Sequence, residues 1–405
     1  MEARRVQHAV GHGFFHSGTI EGNALGRFDY VFDCGGENKD TIKAAVARFA
    51  AGRDARHLEL LAISHFHEDH VGGIEALLEA VHVRIAVLPY LSPEHALLLV
   101  AAAVHRKAST QSFIEFVTDS AAWLRSRGNG ADVVIVVGDL PADDPGPPGP
   151  DLPDAPPLPD ISGVLVGSMQ IPAGPIPPNL KRIHHRTPVR VIAQRKDWWT
   201  FRFFCFKNSD LHKKIVEAAR CVLDVGNDVL TNAQECSAYV RRTVKNKNGR
   251  ELLRKFYEMI VSRRQLNVTS LAMLSGPTSP QFCITHNVSQ ESWSDRFGCR
   301  SRTAWLGMGD VALRRQEILQ AFERHFDEHA GQIGTVALSH HGSREDFNGA
   351  LIDRLSPSVV YATCKSGSRN HPHPDVVETL AAGGRILRRV TKHAPLIERL
   401  EILMY

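Results

Sequence analysis

Leu58-Glu59-Leu60-Leu61-Ala62-Ile63-Ser64-His65-Phe66-His67-Glu68-Asp69-His70-Val71-Gly72-Gly73 decides how this chain is read. Leu58 to Ser64 is an apolar run of the length expected for a buried strand. His65, His67, Asp69 and His70 follow at once, and Gly72-Gly73 opens a helical pattern over Ile74 to Val81. Metal-ligating side chains therefore leave a strand end on a tight loop anchored on both sides. Imidazole and carboxylate suit zinc, manganese or iron. Two histidines one residue apart can project toward one ion from an extended turn, and the Asp69-His70 pair can reach a second. A merely solvated histidine turn would need neither the apolar strand before it nor the glycine pair after it.

Outward from this loop, strand and helix patterns alternate. Phe28 to Phe32 reads as a strand ending at Asp33-Cys34-Gly35-Gly36, Thr41 to Ala50 as a helix, and His82 to Pro89 as the next strand. This alternation predicts an α/β layered fold. Glu94 to Arg127 is helical and alanine-rich, and Asp132 to Val137 is strand-like. Pro141 to Pro159 is a proline-rich loop, since proline fixes φ and removes an amide donor. Val189 to Gln194 and Trp198 to Phe206 read as strands, Leu211 to about Arg264 as helix, and Asn267 to Leu274 as strand again. The last third repeats the alternation, with strands at Ala304–Met308, Thr335–Ser339 and Val359–Thr363 and helices at Val311–His325 and Asp375–Ala382.

Composition narrows the class. The 405 residues are 43% hydrophobic and 23% charged, as expected of a globular chain. The N-terminal MEARRVQHAV has no apolar secretory segment, and the longest aliphatic run, Ala96 to Val104, is too short to span a bilayer. Seven scattered cysteines without a C-x-x-C pair predict reduced thiols in a cytoplasmic protein. The net charge of +4 hides an asymmetry: residues 181–265 hold 20 Lys and Arg against 8 Asp and Glu, a surplus of +12, which leaves −8 on the rest. A basic segment of this kind favours an anionic partner.

The loop H-x-H-x-D-H after a strand resembles the signature of the metallo-β-lactamase superfamily. Other pieces follow in order: Asp33 after FDYVF, Asp310 in WLGMGD, and His340 in LSHHGS. Within the superfamily, VGHGFFHSG (Val10 to Gly18), NVTSL (Asn267 to Leu271), GMGD, SHHGS and NHPHP (Asn370 to Pro374) resemble the metallo-β-lactamase-like domain of competence DNA-uptake proteins and its soluble relatives, some of which cleave phosphodiesters. The resemblance covers about residues 6–90 and 266–390. It departs at Ala9 and His12, where the family has acidic and glutamine residues in its first motif. A further histidine ligand between the loop and Asp310 has no match; His286 is the nearby candidate, and His371 is the other.

The resemblance implies a four-layer αβ/βα sandwich with a large middle insertion: residues 1–90 as its first half, 91–265 as an insertion holding the 141–159 loop and the basic helical segment, and 266–405 as its second half. It implies two divalent ions, zinc foremost and manganese as the alternative. His65 and His67 would hold one, Asp69 and His70 the other. Asp310 would bridge them and His340 would complete a shell. Asp33 would hold the ligand loop. Adjacent residues leaving a strand point to opposite sides, so His341 is expected behind a ligand or at a substrate phosphate rather than at a metal. A metal-bridged hydroxide would attack the substrate, with Asp69 in the reacting centre and His371 returning a proton to the leaving group. Ser343 and Asn370 would donate hydrogen bonds to the substrate.

Metal-centred hydrolysis serves lactams, lactones, thioesters and phosphodiesters alike, and fold alone does not choose. The basic 181–265 segment, with Arg195, Lys196 and Arg202 interleaved with Trp198 and its aromatic neighbours, suits a nucleic acid, cations taking phosphates and rings stacking on bases. The same WWTFRFFCF alternation is also that of an ordinary half-buried strand. A phosphodiesterase or nuclease is the leading expectation. A hydrolase of small lactones, esters or lactams and a non-catalytic interaction module are the alternatives. No protein partner is named by the sequence.

Overall fold

The computed structural model describes residues 1–52, 57–107, 110–138, 163–166, 169–172, 179–206, 209–260, 270–278, 282–290, 293–297 and 302–403. The proline-rich 141–159 loop lies outside these residues. The chain divides into two units, one formed by Met1–Pro89, Gly128–Phe206 and Ser270–Tyr405, the other by Tyr90–Arg127 and Lys207–Thr269.

In the first unit the chain begins with β1 (Glu2–Gln7), β2 (His16–Gly22) and β3 (Gly26–Phe32), then α1 (Lys39–Ala51), β4 (His57–Ala62), α2 (Glu68–Val71), α3 (Ile74–Ala80) and β5 (His82–Pro89). Helix α1 starts where the Asn38 side chain accepts from the Thr41 amide at 3.0 Å. After the excursion into the second unit come β6 (Ala131–Gly138), β7 (Gly163–Val166), β8 (Met169–Pro172), β9 (Asn179–His184), β10 (Val189–Ala193) and β11 (Lys196–Cys205). Intervening residues 207–269 belong to the second unit. Past them run β12 (Leu271–Pro277), β13 (Phe282–Gln290), β14 (Trp293–Phe297) and β15 (Ala304–Gly307). The unit ends through α11 (Gln316–Phe326), β16 (Ile333–Ala337), α12 (Gly349–Leu355), β17 (Val359–Thr363), α13 (Pro374–Ala382), β18 (Leu387–Val390) and β19 (Leu396–Leu403).

Two mixed sheets result, in strand order β14-β13-β19-β1-β2-β3-β4-β5-β6-β9 and β18-β17-β16-β15-β12-β11-β10-β7-β8. Strands β3 to β6 pair in parallel and are nearly continuous apolar runs, as strands covered on both faces must be. The sheets face each other across one core that includes Phe32, Leu60, Ile85, Trp199, Phe201, Phe203, Met273 and Trp305. On the outer side of the second sheet, Phe204, Leu306 and Val336 pack on Ile318, Phe322 and Phe326 of α11, Leu351 and Ile352 of α12, and Leu380 of α13. Helices α1 and α3 pack together, α3 against β5 of the first sheet. The architecture is the four-layer αβ/βα sandwich of the metallo-β-lactamase type.

The second unit is helical: α4 (Pro93–His105), α5 (Gln111–Thr118), α6 (Ser120–Ser126), α7 (Ser209–Ala218), α8 (Asn227–Thr231), α9 (Ala233–Thr243) and α10 (Lys247–Ile260). Helix α4 is buried on almost every face and packs against α5, α7, α8, α9 and α10. Helix α10 buries Leu253, Phe256, Tyr257 and Ile260, a stripe at helical spacing.

Residues 91–265, set apart by sequence as one insertion, thus fall in both units: β6 to β11 are sandwich strands and the helices stand separately. The open question over WWTFRFFCF is decided for the strand. Trp199, Phe201 and Phe203 are fully buried between the sheets, each contributing roughly 1.5–3 kcal/mol of burial energy, so they offer no face to a base. Among the described residues no helix is long and apolar enough to cross a membrane, and the described cysteines are free thiols.

Candidate metal centre

The site-bearing side chains leave the C-terminal ends of parallel strands in both sheets. Asp33 follows β3; Ser64, His65 and His67 follow β4; Asp69 and His70 lie on α2; Asp310 follows β15, His340 and His341 follow β16, and Thr363 ends β17. Carboxyl ends of parallel strands are where α/β sheets leave room for a ligand. The two sheets are tied there by the Leu271 amide, which donates to the Ser64 carbonyl at 2.8 Å.

The loop after β4 is held by Asp33. Its carboxylate accepts from the Ser64 amide and the Ser64 hydroxyl, both at 2.6 Å, and from His70 Nδ1 at 2.8 Å. With its proton given to Asp33, the Ser64 hydroxyl accepts from His65 Nδ1 at 2.9 Å. Both histidines are thereby turned so that Nε2 faces inward. The Nε2 atoms of His65 and His70 are buried with no hydrogen-bond partner among the described residues. They face the Asp310 carboxylate at 3.3 and 3.6 Å. His341 repeats the pattern: Nδ1 lies 2.7 Å from Thr363 Oγ1, and Nε2 lies 3.1 Å from Asp69 Oδ2. So does His340, whose Nδ1 donates to Asp346 at 2.6 Å while Nε2 stands 3.9 Å from Asp310.

Three overlapping sets have ligand atoms all within 4.8 Å of one another: His65, His67 and Asp310; His70, Asp310 and His341; His12, Asp69 and His341. Nitrogen and oxygen atoms bound at ~2.0–2.2 Å around a tetrahedral cation stand roughly 3.3–3.6 Å apart. The 3.3–3.6 Å gaps between inward nitrogens and Asp310 have that spacing rather than the spacing of hydrogen bonds. Buried nitrogens aimed at a carboxylate, each oriented from behind, fit a divalent metal.

Electrostatics agree with a site that compensates its own charge. Burial opposes ionisation of Asp69 and Asp310, yet neighbouring histidines outweigh it: both carboxyls lie well below their ordinary range, Asp69 chiefly through His70 and His341, Asp310 chiefly through His340 and His65. Burial would depress His70 and His340, but Asp69 and Asp33 raise His70 to about 10, and Asp310 and Asp346 raise His340 to about 9. His371 is pushed down to about 4 by burial and by His340 and His341. In the chain alone it is neutral at pH 7.

The structure brings His65, His67, Asp69, His70, Asp310, Asp33, His340 and His341 together. The doublet differs from its expectation for a physical reason. His340 and His341 have φ of +45° and +54°, so the backbone has left the extended form and the rings do not alternate. His341, expected behind a ligand or at a substrate phosphate, shares a set with Asp69 and another with His70; His340 stands farther out. Such left-handed residues cost of order 1–3 kcal/mol each and persist where the surroundings hold them. Here the His340 amide donates to the Gly309 carbonyl and the His373 amide to the Gly342 carbonyl. His371 sits at the rim, its ring 5.5 Å from His340 and 5.4 Å from His12. Ser343 is buried and its hydroxyl accepts from the Glu345 amide, while Asn370 is exposed. His286 is elsewhere, on β13, 2.6 Å from Glu398. Arg195, Lys196, Trp198 and Arg202 lie on or beside β11; Lys196 covers the Trp198 ring at 5.0 Å.

A family model described as the metallo-beta-lactamase superfamily matches residues 26–177, which include Asp33 and the whole ligand loop. Over that segment the chain is similar to the metallo-β-lactamase superfamily. The matched segment stops short of Asp310 and the His340-His341 doublet, which reach the cluster from the second sheet. No curated protein matches the chain. Among solved structures, the crystal structure of a long form RNase Z from yeast aligns at 10% identity and a TM-score of 0.34, over 90% of this chain and 36% of that one. The chain therefore spans about a third of that protein's length.

Two residues of this cluster carried no assignment from sequence. Ser270 accepts from the Asp310 amide at 2.7 Å, so the serine of NVTSL fixes the aspartate of GMGD. His12 enters a ligand set from the loop before β2; its signal was the glycine on either side.

Proposed function

We propose that the chain is a metal-dependent phosphodiesterase acting on nucleic acid. The observation that carries the hydrolase reading is the convergence of inward Nε2 atoms of His65, His70 and His341 on Asp69 and Asp310, each imidazole held from behind. His65, His67 and Asp310 would hold one divalent ion, and Asp69, His70 and His341 with Asp310 the other. Bound there, divalent cations acidify water and polarise the bond to be cleaved. The protein's own part is positioning. Asp33 and Ser64 keep the ligand loop rigid, Thr363 aims His341, and Asp346 aims His340 at the centre. His371 stands at the rim, where an incoming phosphate would raise its proton affinity and let it return a proton to the departing group.

Phosphodiesters are favoured over lactones and lactams by two features. Motif for motif the sequence resembles competence DNA-uptake domains, and the basic surplus supplies cations for a polyanion. In the helical unit, residues 236–250 contain five cations and no acid; Arg241, Arg242, Lys245 and Lys247 are exposed around the turn from α9 to α10. Such a turn suits phosphate contact without base readout.

The test pairs metal analysis with nuclease assays and bis-p-nitrophenyl phosphate hydrolysis, wild type against Asp69→Ala and His67→Ala. Two equivalents of metal and turnover lost in both variants are expected. Metal without turnover of any phosphodiester would move the substrate to lactones and thioesters. A folded protein that takes up no metal would leave an interaction module.

A further inference from the structure

We propose that His12 is a protein ligand of the more exposed of two cation positions, completing it with Asp69 and His341. This rests on the reading of the centre as a metal site. It goes beyond the superfamily resemblance, in which the first motif carries other residues.

The loop that presents His12 is built against the ligand loop. Gly11 and Gly13 take φ of +74° and +149°, conformations that side chains rarely adopt. A Cβ on Gly13 would stand 2.5 Å from Gly36 Cα and 2.8 Å from the Asp69 carbonyl oxygen. That close approach lets the Phe14 amide donate to the Asp69 carbonyl at 2.9 Å, while the Gly35 amide donates to the Phe14 carbonyl at 2.8 Å and the Glu37 amide to the Val10 carbonyl at 2.9 Å. The backbone after His12 is thus bonded to Asp69, whose side chain would share a metal with it, and the backbone before it to Glu37. Its imidazole follows: Nε2 is 3.8 Å from Asp69 Oδ2, and the ring lies 4.3 Å from that of His341.

The three ligand atoms converge; imidazole and carboxylate both suit zinc, and His12 would add one more donor to the position that Asp69, His70 and His341 share with Asp310. The two cation positions differ in exposure. The side chains of His65 and Asp310 are 5% and 2% exposed; those of His12 and Asp69 are 36% and 30% exposed. The sets are neighbours, linked by His70, which forms a set with Asp310 and His341. One position therefore has two of its three ligands buried and His67 half-buried, whereas the other has only His341 buried and meets solvent at His12 and Asp69. The first ion binds to a finished pocket. The second binds more weakly, and its affinity is set by His12.

The experiment is titration of the metal-free full chain with Zn²⁺ alone by calorimetry, and with Co²⁺ alone by visible absorption. Wild type is expected to bind in two steps of unequal affinity. In His12→Ala the tighter step stays and doubles as the test of folding, while the weaker step loses at least ~10-fold in affinity and its Co²⁺ spectrum changes. His12→Gln, which keeps hydrogen bonding but is a poor ligand, should match the alanine variant. Two steps unchanged in both variants would overturn the role of His12 and leave the metal centre standing. Equal weakening of both steps in both variants would overturn its assignment to one position. A wild type that binds no cation would overturn the metal reading and this inference together.

Discussion

Two buried polar clusters in the sandwich unit are made of the same residue types and end in opposite states. At Glu398, between the sheets, His286 Nε2 donates at 2.6 Å, Arg5 Nη1 at 3.0 Å, and the Thr335 hydroxyl also donates. Both carboxylate oxygens are engaged at hydrogen-bond distance. At Asp310, the nitrogens of His65, His70 and His340 stop at 3.3, 3.6 and 3.9 Å. A buried carboxylate either closes on its donors or is held open by them. The first arrangement is complete and serves the fold; the second has the spacing that a bound cation would require. Held-open geometry, rather than the presence of histidines and acids, marks the functional cluster.

Replacing each carboxylate in turn is the harshest test of that contrast. Asp310→Ala, which removes a member of two ligand sets, should abolish stoichiometric metal uptake and turnover while leaving a folded chain, as read by elemental analysis and circular dichroism. Glu398→Gln should do the reverse, leaving metal uptake intact and lowering stability by about 3–5 kcal/mol, as when one partner of a buried ion pair is removed. Loss of metal in the Glu398 variant would break the comparison. The Glu398 cluster also has a pH signature. Burial opposes its ionisation, but Arg5 and His286 hold its carboxyl below the ordinary range. A depressed folded value means that the contribution is complete above the unfolded pKa of about 4.3 and is lost as pH falls through the folded value. The gap in urea midpoint between wild type and Glu398→Gln should therefore be widest near pH 7 and shrink below about pH 4.

Finer changes sharpen the comparison. Thr363→Val removes only the partner behind His341, and should weaken metal binding by roughly 10-fold with little change in thermal midpoint. The smallest effect is expected at the rim: His371→Ala should slow DNA cleavage more than hydrolysis of bis-p-nitrophenyl phosphate, whose leaving group needs no proton. Equal slowing of the two substrates would remove His371 from the proton path.

Much of this was legible because the site sits where strands stop. The runs Phe28–Phe32, Leu58–Ser64 and Val359–Thr363 are mostly apolar, broken only by Asp29 and Glu59 and by terminal Ser64 and Thr363, and are followed by Asp33, His65 and Cys364, so each strand marked its own boundary. The part that stayed hidden lacked such punctuation. Strand β19 alternates inward Leu396, Leu400 and Ile402 with outward residues, but inward Glu398 interrupts the period. Strands β6 to β11 were grouped with the neighbouring helices because the family-like motifs stop near residue 90 and resume near 266, while the units change at 128 and 207. His12 stood in a glycine-flanked turn with no periodic context, and its role depends on a contact with Asp69, fifty-seven positions later, that no local pattern encodes. At the His340-His341 doublet the alternation rule, sound for strands, does not apply, because the chain has just left one.

The pairing of β1 with both β2 and β19 has a consequence for how the protein is made. Residues 2–7 find one neighbour in residues 16–22, but the other edge is met by residues 396–403, with Ile402 bonded to Met1 in both directions. At ribosomal speeds of about 5–20 residues per second, that edge waits roughly 20–80 s for its partner. Through that time β1 and its hairpin are a nascent sheet with a bare side, the kind of surface that holdase chaperones cover. Folding of the first sheet is thus timed by β19, made long after β1.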